Sequence, residues 1–177
     1  NTVYFQIDES NKAPRRTLEM ISELLRYQLY GGNQKVSILQ EIDYLKTYIA
    51  LRKLRMSERL RLRVEFPPEL NELNIYPLLF LPLVENAFKY VGGDYQLDII
   101  MKWENNRISL FIRNSIPELS AEDEALRKSV DERQRKGIGL VNLRRRLSLL
   151  YPSKHRLETR KEETEFVAEL MIEIEEI

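Results

Sequence analysis

The stretch PLVENAFKY, Pro82 to Tyr90, sets an acid, an amide and a base (Glu85, Asn86 and Lys89) into an otherwise apolar helical run. One chemistry fits that set. An Asn side-chain oxygen is a hard ligand of the kind Mg²⁺ accepts, and a Lys can offset phosphate charge. A Glu can orient or deprotonate a nucleophile within hydrogen-bond reach. A solvent-facing stripe with an i,i+4 ion pair between Glu85 and Lys89 accounts for the same residues more simply. A second stretch shifts the balance. Gly137-Ile138-Gly139 stands directly before a helical segment opening at Leu140. Free N–H groups at a helix start, approached over a backbone without Cβ atoms, form an anion site. Taken singly, this Gly-x-Gly is a helix cap or hinge, too short to be a dinucleotide or P-loop fingerprint. Taken together, the two stretches offer a phosphate cradle and three complementary side chains.

Several elements must position these groups. Leu18, Ile21, Leu25 and Leu29 recur at helical spacing within Lys12 to Tyr30, and Gly31-Gly32-Asn33 ends that run. Ser37 with Gln40 reads as a capping box opening a second helix, whose stripe is Ile38, Ile42, Leu45 and Ile49. A helical hairpin is expected, with most of the stripe positions packed within the chain. Leu60 to Phe66 alternates as a strand before Pro67-Pro68. The helix holding PLVENAFKY follows, with Pro77 and Pro82 near its first turns and Gly92-Gly93 after its end. Gln96 to Trp103 and Arg107 to Arg113 predict a hairpin about Glu104-Asn105-Asn106. The polar stretch Asn114 to Lys136 predicts a long loop. Leu140, Leu143, Leu147 and Leu150 stripe the last helix, and strands about Arg156 to Arg160 and Glu165 to Ile174 finish the chain. The expected class is α+β: a mostly antiparallel sheet with helices on one face, preceded by the helical hairpin. The expected division is a helical segment at 1–57 and a sheet-bearing domain at 58–177.

Composition narrows the possibilities. Apolar residues make up 43% of the 177, enough for a core, while 28 basic and 28 acidic residues cancel. That balance supplies no field for direct nucleic-acid or anionic-membrane binding. Cysteine is absent and His155 is the single histidine, so thiolate and polyhistidine metal sites are excluded within this chain. The longest apolar run, Ile75 to Val84, holds two prolines and falls well short of the about 20 residues a spanning helix needs. The chain begins without methionine and reads as a piece of something longer.

PLVENAFKY resembles the N box of the GHKL ATP-binding fold, and KGIGLVNLRRRL resembles its G2 box. LLRYQLY (Leu24 to Tyr30) and LQEIDYLKTYIALRKLRMSERL (Leu39 to Leu60) are similar to the LytS-type sensor histidine kinases in particular. The resemblance implies a GHKL ATPase-like sandwich binding ATP and Mg²⁺, with residues 1–57 the end of a dimerisation region. It implies Asn86 on the metal, Glu85 assisting phosphoryl transfer, and Lys89 and Tyr90 near the phosphates. Gly137, Ile138, Gly139 and Leu140 would lie against the triphosphate, and Asn114 to Lys136 would be the ATP lid. The family's Asp-x-Gly adenine box aligns with Asn114-Ser115-Ile116, where Asn114 offers an uncharged acceptor. The phospho-accepting histidine belongs upstream of Leu24, and His155 reads as a surface residue. The implied partners are a homodimer in the full-length protein and a response regulator of LytTR type. The implied place is the cytoplasmic portion of a bacterial sensor kinase anchored in the inner membrane. Two alternatives stay open: a degenerate, non-catalytic signalling module, and a serine kinase of the anti-sigma kind on the same fold.

Overall fold

The computed structural model describes residues 4, 7–8, 10–30, 34–68, 70, 73–118 and 138–174. Two compact units are present. The first comprises Asn1–Ser57 with Asn74–Leu78, and the second Glu58–Leu73 with Leu79–Ile177.

The first unit is a helical hairpin. Helix α1 spans Lys12–Tyr30 and α2 spans Ile38–Lys53. The Ser37 hydroxyl accepts the Leu39 N–H at 3.3 Å while Gln40 Oε1 accepts the Ser37 N–H at 3.2 Å, the reciprocal box expected there. All four stripe residues of α2 are buried. On α1 the outcome differs: Leu24 is buried, whereas Ile21, Leu25 and Leu29 are 37, 54 and 80% exposed. The expectation that most of these positions pack within the chain therefore fails for three of the α1 leucine and isoleucine residues. Helical periodicity identified the apolar face but not which edge of it the hairpin covers. A two-residue strand before α2, β1 (Val36–Ser37), pairs antiparallel with β3 (Asn74–Ile75), so residues 74–78 join this unit.

The second unit is an α+β layer. Its sheet holds β2 (Arg61–Glu65), β4 (Gln96–Glu104), β5 (Arg107–Ser115), β7 (Glu165–Glu173) and β6 (His155–Lys161), in that spatial order. Every pairing is antiparallel except β2 with β4. β4 and β5 meet at Glu104↔Arg107 through Asn105-Asn106, both at positive φ (51° and 58°). Asn tolerates this backbone, which is that of a tight type I′ hairpin. Helix α3 (Leu81–Tyr90) packs on β5 and on helix α4 (Ile138–Leu150). Leu143 and Leu147 of α4 are buried with Leu83, Val84, Ala87 and Phe88 of α3 and Leu97, Ile99, Leu110 and Ile112 of the sheet. Burying each such side chain contributes on the order of 2 kcal/mol. Pro82 lies in the first turn of α3, as expected, but Pro77 stands outside the helix, which begins at Leu81. Among the described residues no helix is long and apolar enough to cross a membrane.

Candidate functional site

Helix α3 divides by face. Leu81, Leu83, Val84, Ala87 and Phe88 are buried; Asn86 and Tyr90 are half-buried; Glu85 and Lys89 are exposed. Residues 85, 86, 89 and 90 occupy two adjacent i,i+4 rows, so the acid, amide, base and phenol share one side of the helix. The Lys89 ammonium sits 5.0 Å from the centroid of the Tyr90 ring. Such a contact is worth about 0.5–1 kcal/mol at an exposed site and leaves the ammonium N–H groups available to an anion.

Asn114 is the inward residue near the end of β5, in register with Leu97 on one side and Phe166 on the other. It is fully buried. Its Nδ2 donates to the Ser115 carbonyl at 3.2 Å, while its Oδ1 is buried without a hydrogen-bond partner. Leaving a buried acceptor unsatisfied costs about 1–3 kcal/mol, so such an atom calls for an explanation. A ligand donor is one. The following residue, Ser115, projects to the opposite side of the strand. There its hydroxyl donates to the Gly92 carbonyl at 2.7 Å and accepts the Gln96 N–H at 2.9 Å. Gly92 N–H in turn donates to the Ser115 carbonyl at 3.0 Å. The end of α3 is thereby tied to the end of β5, fixing the Asn86 helix against the Asn114 strand.

The glycine motif is described in part. Gly137 lies outside the described residues, as does the expected lid from residue 119 onward, while Asn114 and Ser115, expected to begin that lid, are instead the buried end of β5. Ile138 is the first residue of α4, Gly139 is exposed, and Leu140 is half-buried. A Cβ added at Gly139 would meet nothing within 4 Å, so protein packing does not demand glycine there. Open space at a helix N-terminus suits an approaching anion.

Among the described residues no group of three or more His, Cys, Asp or Glu could hold a metal. Mg²⁺ suits that inventory, because it binds through one or two protein oxygens, substrate phosphates and water rather than an all-protein cage. Asn86 has the right donor for it. A separate cleft of about 280 Å³ is lined in part by Asp94, Glu118 and Glu165, a charge that opposes a triphosphate. His155 is half-buried in β6 with Nδ1 at 2.7 Å from the Tyr151 carbonyl, a local structural contact.

Two polar features escaped sequence reasoning. Asp98, itself buried, receives Nε and Nη2 of Arg113 at 3.0 and 2.6 Å, and this hydrogen bond is the main reason the guanidinium pKa is raised above its ordinary value. Their opposition across β4 and β5 depends on the hairpin register. Glu41 is fully buried in the α2 stripe; an acid falling between Ile38 and Leu45 was the available signal.

Residues 1–60 match the family model described as histidine kinase. The chain is 27% identical over 161 residues to the sensor protein kinase HptS of Staphylococcus aureus, covering 88% of this chain. It spans about a third of the length of the curated relatives it matches, 31% in that case. Among solved structures, full-length ShkA in complex with AMPPNP superposes with a TM-score of 0.55 at 14% identity, over 89% of this chain and 35% of that one. A mycobacterial sensor histidine kinase, MprB, superposes with a TM-score of 0.52 at 14% identity, over 81% and 99%. AdeS, a histidine kinase of Acinetobacter baumannii, gives 0.50 at 16%, over 90% and 76%. The α+β layer is the fold of these kinases.

Proposed function

We propose that this relative of the sensor histidine kinases is the ATP-binding catalytic portion of one. Residues 58–177 hold the nucleotide, and 1–57 form the end of the dimerisation region. The buried, unpartnered Oδ1 of Asn114 carries the reading. It is a buried acceptor that no group among the described residues answers, and the exocyclic amino group of adenine is a donor that would suit it. Asn86 would hold Mg²⁺, which supplies charge neutralisation between the phosphates when bound. Lys89 lies on the same helix side and offsets further phosphate charge, with Tyr90 beside it. The N–H groups of Gly137, Ile138, Gly139 and Leu140 would bind phosphate oxygens at the positive end of the α4 dipole. Glu85, exposed on the same side as Asn86, orients or deprotonates the acceptor imidazole. Phosphoryl transfer depends mainly on positioning and electrostatics, so this set of groups is sufficient.

In the full-length protein the acceptor would be a histidine upstream, and a response regulator, of LytTR type, would receive the phosphoryl group. The exposed Ile21, Leu25 and Leu29 support a homodimer through α1. By the resemblance to LytS-type kinases the parent would be membrane-anchored, with this segment on the cytoplasmic side.

The test is thermal melting of the chain with ATP, with and without Mg²⁺. A ligand that binds only the native state raises Tm. A Mg²⁺-dependent rise is expected, and no shift at millimolar Mg-ATP overturns the reading. Phosphohistidine formation in a longer chain containing the upstream segment then tests catalysis.

A further inference from the structure

Strand β6 is an edge of the sheet: among the described residues it has a strand on one side only, β7. The Glu162 N–H donates to the Glu165 carbonyl and the Glu173 N–H to the Lys154 carbonyl, each at 2.8 Å. Even-numbered residues of β6 therefore turn their backbone groups to β7, and Leu157 and Thr159 turn theirs to the edge. There the Leu157 carbonyl accepts Nη1 of Arg144 at 3.0 Å, while Nη2 meets the Thr159 hydroxyl at 3.3 Å. A carbonyl accepts two donors, so this contact leaves the edge able to pair.

Side chains alternate across a strand. Leu157 is buried and Thr159 faces Arg144 of α4, which puts the even-numbered side chains on the opposite face of the sheet. In order they are Arg156, Glu158, Arg160 and Glu162, all exposed and alternating in sign. Arg156 pairs with Glu158 at 2.7 Å and Arg160 with Glu162 at 3.2 Å along the strand. Toward β7 the charges conflict. Glu158 stands opposite Glu169, and Glu162 opposite Glu165. Like charges directly across a ladder destabilise it, and on the edge side of both acidic pairs there is room for a cation.

Charge on an edge strand ordinarily keeps other strands away, which a run of one sign achieves. Alternating sign at every second residue favours one particular partner instead. We propose that β6 pairs antiparallel with β6 of a second copy of this chain, about a two-fold axis at Thr159. In that register Glu158 faces Arg160 of the copy and Glu162 faces its Arg156, and symmetry repeats both pairs. Each acidic pair of β6 and β7 thereby gains a guanidinium across the new ladder. The two Thr159 residues exchange backbone hydrogen bonds. Centring on Leu157 would set Lys154 against Arg160, and parallel pairing in register would set Arg against Arg, so the charges select this one arrangement.

A contact of one strand pair is small, so the test traps it covalently. The chain has no cysteine of its own. Chains carrying Glu158→Cys or Arg160→Cys are oxidised separately and as an equal mixture. The proposed register makes 158 and 160 a non-hydrogen-bonded pair with Cα atoms about 4.5 Å apart, within disulfide reach. The mixed dimer also keeps the other Glu158–Arg160 pair. A disulfide-linked dimer is expected in the mixture at severalfold higher yield than in either chain alone. Its yield should fall severalfold in about 1 M salt, where the Debye length is about 3 Å. Both substituted positions are exposed, and an unchanged Tm confirms that the variants fold. Equal yields in all three samples, as association through α1 alone would give, overturn the proposal. So does a mixture that stays monomeric on denaturing gels, the result if the edge is left unpaired or takes an unrelated extended peptide.

Discussion

Ser115 and Gly92 bond to each other in both directions: the Ser115 hydroxyl donates to the Gly92 carbonyl at 2.7 Å, and the Gly92 N–H donates to the Ser115 carbonyl at 3.0 Å. The same hydroxyl accepts the Gln96 N–H. Ser115→Ala removes the hydroxyl from both contacts and leaves buried partners unmet, at a cost of about 1–3 kcal/mol. Because the link joins α3 to β5, nucleotide affinity should fall along with stability. Urea unfolding and Mg-ATP titration on the same variant check this, and an unchanged denaturation midpoint would contradict it.

Asn114 should behave in the opposite way. Its Oδ1 is buried and unmatched, and the Ser115 carbonyl that its Nδ2 meets keeps the Gly92 N–H, so an apolar residue of similar size relieves a larger cost than the one bond it removes. Asn114→Leu is expected to hold or raise Tm while abolishing the Tm shift caused by Mg-ATP. Asn114→Asp keeps an acceptor and should retain binding. A large stability loss in the Leu variant would show that the amide is needed by the protein itself.

Asn86→Ala on the half-buried row of α3 should leave folding within about 0.5 kcal/mol, as expected away from core and caps. It should reduce Mg-ATP affinity about tenfold, or ~1.4 kcal/mol. The diagnostic comparison is chelation. In the parent, EDTA should lower ATP affinity strongly; in the variant, most of that difference should have gone. An equal EDTA effect in both would remove Asn86 from the metal.

Gly93 takes φ +60°, and a Cβ there would lie 3.0 Å from the Ile116 carbonyl oxygen. Backbone strain of about 1–2 kcal/mol adds to that close contact, so Gly93→Ala should lower stability by at least this much. Gly139→Ala meets nothing within 4 Å and should leave stability nearly unchanged while weakening ATP. Calorimetry on the pair, with and without nucleotide, separates a glycine required by its turn from one proposed to face the phosphates.

How much of this was legible beforehand follows from the range of each interaction. Periodicity of 3.6 and 2 is set by neighbours a few residues apart, so the sequence by itself determined the four helices and the five longer strands of the described residues, though not the two-residue β1 and β3, together with the Ser37–Gln40 box, the Asn105-Asn106 turn and the burial of Ile38, Ile42, Leu45 and Ile49. It also placed Glu85, Asn86, Lys89 and Tyr90 on one helix side, because that needs only the helix.

Long-range pairing decided the remainder. The spatial order β2-β4-β5-β7-β6, with its one parallel pair, sets Asn114 between Leu97 and Phe166 and orphans its oxygen. Hairpin packing chose Leu24 over Ile21, Leu25 and Leu29. Only the folded chain brings Glu41 to Leu78, 37 residues away, and makes residues 74–78 part of the helical unit. A charged residue on an apolar stripe looks the same in sequence whether it reaches solvent or a buried N–H. Its partner lies too far along the chain for local spacing to reveal, and tertiary packing alone selects between the two.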